Sequence, residues 1–124
     1  MALQKNKQVK QSTRFFIGAL DNDPNNIAAI NNLANSYKAL GNIELAEELY
    51  IKAINLNPKY ISALNNYGNL KLQLNDFNEA SNLFKKALAL NKNEITLLFG
   101  FASALQGLGN FSEAITVLKK VLSI

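Results

Sequence analysis

The chain has 124 residues, 48% of them apolar, and a formal net charge of +4, which allows one domain with a substantial core and argues against whole-chain disorder. It contains no cysteine and no histidine. Disulfides, thiol nucleophiles, the usual transition-metal ligands and histidine-based acid–base chemistry are thereby excluded, so no cofactor or metal is expected.

The first fourteen residues carry Lys5, Lys7, Lys10 and Arg14 and no acid. Residues 1–9 read as a basic lead-in, and the first helix is predicted at about 8–21. A solvated helix start accounts for the charge; an acidic partner or nucleic acid is the alternative. The apolar run "FFIGAL" is too short to span a membrane or to form a signal-peptide core. No membrane partner is expected, and the chain reads as soluble and cytoplasmic.

From Ile27 onward, six further helices are predicted near 26–40, 43–56, 60–74, 77–90, 94–108 and 111–124. In the first pair, Ile30, Leu33, Ala34 and Tyr37 recur at helical spacing, followed by Ala46, Leu49, Tyr50, Ala53 and Ile54. Gly41, Asn75 and Gly109 stand between the members of successive pairs, where a left-handed residue ends a helix. Asn42, Asp76 and Asn110 come next as N-caps, and Glu79 and Glu113 complete a capping-box pattern. Tyr67, Phe77, Phe84, Phe101 and Phe111 are expected in the core.

These pairs form a repeat of 34 residues, starting at Ile27, Ile61 and Ile95. A leading half repeat spans 10–26, with Pro24 aligned to Pro58, and the full units are 27–60, 61–94 and 95–124. The columns Leu33/Tyr67/Phe101, Ala34/Gly68/Ala102, Ala46/Ala80/Ala114, Tyr50/Phe84/Leu118 and Ala53/Ala87/Val121 resemble the tetratricopeptide repeat. The pattern departs at Lys92, in place of a closing proline, at Val121, and at Ile30, Leu64 and Leu98, where many copies carry tryptophan. The resemblance implies an all-α, right-handed α-solenoid of antiparallel helix pairs over residues 10–124. It also implies a protein-interaction scaffold, with the first helix of each pair lining a concave groove.

By that resemblance the groove columns hold Asn31, Asn32, Asn35 and Lys38, then Asn65, Asn66 and Asn69, then Phe99 and Ser103. Independently, Asn31 and Asn35 are four residues apart, as are Asn65 and Asn69, so each pair shares a helix face. Six asparagines cost about 3–4 kcal/mol of helix propensity relative to alanine. A carboxamide both donates and accepts, so the expectation is a neutral groove that grips the backbone of an extended peptide. Compositional drift is the rival explanation, since the chain holds nineteen asparagines.

Related co-chaperones hold a C-terminal carboxylate with groove cations and amides; here Asn35 and Asn66 match two of the amides, but Asn31, Thr96 and Gly100 occupy the cation positions, so carboxylate-clamp chaperone binding is not expected. Asparagine-lined arrays also precede O-linked N-acetylglucosaminyltransferases, which makes a substrate-presenting arm of a larger transferase the alternative. Lys38 is the only cation in the groove columns, so no nucleic acid is expected. No phosphate loop, Ser/His arrangement or carboxylate cluster points to catalysis within the chain. The last helix ends "ITVLKKVLSI" without a polar cover. Either the chain is a piece of a longer protein, or Val117, Leu118, Val121, Leu122 and Ile124 pair with a second copy.

Overall fold

The computed structural model describes residues 2–124, with side chains from Lys5 onward. Seven helices succeed one another: α1 (Ala2–Asn22), α2 (Ile27–Ala39), α3 (Ile43–Leu56), α4 (Ile61–Gln73), α5 (Phe77–Leu90), α6 (Ile95–Gly107) and α7 (Phe111–Leu122). There is no strand among the described residues. Six helices match their expected bounds to within two residues. The exception is α1, which begins at Ala2 rather than near residue 8. Residues 2–9, expected as a lead-in, belong to it; they contain neither Gly nor Pro, so nothing breaks the helix there.

The three turns within pairs share one construction. Asn42, Asp76 and Asn110 donate their backbone N–H back to the carbonyls of Tyr37, Lys71 and Leu105, at 2.8, 2.9 and 2.8 Å. These are the wide bonds of a Schellman ending. The residue before each donor has the positive φ that this closure requires, +83° at Gly41, +59° at Asn75 and +77° at Gly109. Asn42 and Asp76 then accept from the N–H of Leu45 and Glu79. Asn110 differs: its carboxamide donates to Glu113 at 3.0 Å and caps no backbone group.

The chain forms two compact units, Met1–Ala63 and Leu64–Ile124, with the boundary inside α4. In the first, α1 packs on α2 and α2 on α3. Its core centres on Ile30, Ala53 and Ala63, with Leu20, Ile27, Leu49, Ile54 and Tyr60 against them. Small residues in the alanine columns let the helices approach closely enough for this burial. In the second unit α6 packs between α5 and α7.

Phe84 organises the second unit. It is fully buried, and its ring sits on two glycines: a Cβ at Gly68 would lie 2.8 Å from it, and one at Gly100 would overlap it. One ring therefore joins α4, α5 and α6. Tyr67 and Phe101 are buried as expected, and Phe77 is half-buried beneath Gly107 of the adjacent helix α6. Phe111 is the exception among the expected core aromatics, 62% exposed.

Candidate functional site

The expected groove residues fall into distinct environments. On α2, Asn32 is exposed, Asn35 and Lys38 are half-buried, and Asn31 is only 4% exposed. The helical angle accounts for this spread: Asn31 turns toward the core side of α2, while Asn32 points away from it. Burial lowers the pKa of the Lys38 ammonium from its ordinary value. On α4, Asn65, Asn66 and Asn69 are all half-buried. On α6, Phe99 is 51% exposed and Ser103 is exposed. No pocket opens beside Phe99 at Gly100, because the Phe84 ring fills that space.

Asn35 has an internal role that the repeat pattern did not disclose. The hydroxyl of Tyr50, on α3, donates to its Oδ1. Tyr50 is fully buried, so its hydroxyl needs protein partners. The signal lay in the columns: Tyr50 becomes Phe84 in the next repeat, and the matching Asn69 therefore meets no hydroxyl there.

Burial pushes the Tyr50 hydroxyl up to about 12 from 10.0. Below the unfolded value both states keep the proton, and the stability contributed by the neutral phenol is complete. Between the two values only the unfolded chain ionises, so that stability is lost as pH rises. Relative to Tyr50→Phe, the wild type is expected to lose about 2–3 kcal/mol between about pH 10 and about pH 12. Urea melts of both proteins across that range measure it, and parallel curves would contradict it.

Within the first unit, a hollow of about 420 Å³ opens between α1 and α2. Lys5, Gln8, Val9, Ser12 and Phe16 line it from α1, and Asn32, Asn35, Ser36 and Ala39 from α2. It brings together two of the expected residues, Asn32 and Asn35. The α1 contribution escaped the sequence reading because Lys5, Gln8 and Val9 lay in the supposed lead-in. At the far end of the chain, Val117, Leu118 and Val121 are half-buried, whereas Leu122 is 87% and Ile124 57% exposed.

Two tetratricopeptide-repeat family models match, over residues 26–93 and 71–124. Among curated proteins, none matches the sequence significantly. Of solved structures, that of MamA is similar in fold at 21% identity and a TM-score of 0.85, covering 98% of this chain and 71% of that one. MamA AMB-1 is similar at 28% identity with a TM-score of 0.80, over 99% of this chain and 67% of that one. A tetratricopeptide repeat protein from Parabacteroides merdae ATCC 43184 is similar at 26% identity and 0.83, over 97% and 47%.

Proposed function

Because the chain belongs to the tetratricopeptide-repeat family, we propose that it is a protein-interaction scaffold in which each of the asparagine-bearing faces, that of α2 in the first unit and that of α4 in the second, holds extended peptide. The observation that carries this reading is the placement of Asn32, Asn65 and Asn69. All three remain at least partly open to solvent, although each is a poor choice for a helix interior. A carboxamide pairs equally with the amide and the carbonyl of a peptide backbone, so such a face grips a segment with little regard to its side chains. Phe99 and Ser103 on α6 add an exposed aromatic and a hydroxyl. No helix among the described residues is long and apolar enough to cross a membrane.

A peptide array probed with the full chain tests this. The triple variant Asn32→Ala, Asn65→Ala and Asn69→Ala is expected to keep its helical circular dichroism and to bind at least about tenfold more weakly, from roughly 0.5–1.5 kcal/mol per hydrogen bond lost. Unchanged binding would remove the asparagines from the site.

A second reading rests on α7. Phe111, Ile115 and Leu122 are 62%, 54% and 87% exposed, and their spacing of four and seven residues aligns them in one stripe. Such a stripe favours pairing with a second copy. Sedimentation velocity is expected to show concentration-dependent dimer, abolished by Ile115→Glu with Leu122→Glu. A strict monomer at high concentration sinks this reading.

A further inference from the structure

We infer that the hollow between α1 and α2 receives the carboxylate of an internal aspartate or glutamate side chain of the bound segment, held by Lys5 and the Asn35 carboxamide. This rests on the peptide-binding reading proposed for α2 and α4, and names the chemistry of its partner at the first unit.

A free asparagine has no preference between donors and acceptors. Asn35 is different, because its Oδ1 already accepts from Tyr50. The remaining capacity of its carboxamide is two N–H donors against one lone pair. The high pKa of the buried phenol, about 12, keeps that proton in place at any physiological pH, so the bias toward donation does not lapse. Lys5 adds three donors and no acceptor to the same hollow.

No aspartate or glutamate lines the hollow, and the first acid in the sequence is Asp21. That residue lies roughly 24 Å along the helix from Lys5. Lys5 makes no ion pair among the described residues. Its charge is therefore available to an incoming anion. Val9, Phe16 and Ala39 supply an apolar wall, which accommodates the methylenes of an acidic side chain and strengthens charge interactions beside it.

The arrangement differs from a chaperone carboxylate clamp. Asn35 stands in the column of one of the clamp's amides, but the cation comes from the leading helix, whereas Asn31, Thr96 and Gly100 occupy the clamp's own cation positions. The preference should also be confined to the first unit. Asn69 shares the column of Asn35, but Phe84 has no hydroxyl to bias it.

The test uses the full chain, isotopically labelled, titrated by NMR with blocked alanine peptides carrying one central glutamate or one central glutamine. A third peptide has no ionisable side chain but a free C-terminus. The glutamate peptide is expected to shift the Asn35 side-chain amide and to bind about three- to tenfold more tightly than the glutamine peptide. Lys5→Gln should erase that difference. Tyr50→Phe should reduce it as well, although Tyr50 is buried beyond reach of any peptide, and should leave the response of Asn69 unchanged. Equal binding of the glutamate and glutamine peptides overturns the inference while leaving the peptide reading intact. So does a free C-terminus that occupies the hollow as well as glutamate does. No response to any peptide overturns both.

Discussion

Phe84→Ala is expected to destabilise the second unit by about 3–5 kcal/mol, the range for deleting a fully buried aromatic. The ring is 0% exposed and lies against Gly68 and Gly100 at once, so its removal leaves three helices facing one cavity. Chemical denaturation monitored by circular dichroism measures the loss. A cost below about 1 kcal/mol would show that the helices close over the gap.

Gly100 supplies a sharper form of the same test. Alanine there gains about 1 kcal/mol of helix propensity, yet its Cβ would overlap the Phe84 ring. Overpacking costs about 1–3 kcal/mol, so Gly100→Ala alone is expected to destabilise. In a Phe84→Leu background, which borrows the residue that Leu118 places in this column, the overlap is relieved. There Gly100→Ala is expected to be neutral or stabilising. The change of sign identifies steric coupling, which two independent sites would not show.

The second large contrast is between two asparagines that occupy one repeat column. Asn35→Ala removes the acceptor of a fully buried hydroxyl, a loss of about 1–3 kcal/mol that a gain of several tenths in helix propensity does not offset. Asn69→Ala removes no such bond, since Phe84 replaces the tyrosine, and is expected to be neutral or stabilising by about 0.5 kcal/mol. Urea melts of the two variants distinguish them, and Asn35→Ala in a Tyr50→Phe background should lose most of its cost. Equal stability of the two single variants would contradict the internal role of Asn35. The contrast also governs binding studies: a variant that includes Asn35 confounds lost contacts with lost stability.

Much of the fold was legible from repetition alone. The spacing of Leu33, Tyr67 and Phe101, the Gly41/Asn75/Gly109 column and the caps after it place both ends of six helices within two residues, because these are local rules of backbone conformation and hydrogen bonding. The start of α1 is the exception: the helix begins at Ala2, ahead of the apolar spacing that marks it in the sequence, because lysine and glutamine are good helix formers.

Side-chain environments were less legible, because a column treats its members as equals and packing does not. The asparagine pattern marks α2 and α4 as unusual but cannot say that Asn31 is buried, that Asn35 serves Tyr50, or that Asn32 faces a hollow. Phe111 shares a column with Phe77 and differs in burial, since burial depends on the neighbouring helix and not on the column. Gly100 appears in the sequence as a break in a ladder; in the folded unit it is the seat of the Phe84 ring. Local conformation, repeat length and helix order were determined by the sequence itself, through short-range sterics and periodicity. Which side chain meets which was decided only by tertiary structure, because those contacts join residues from different helices, and no single segment encodes the distance between them.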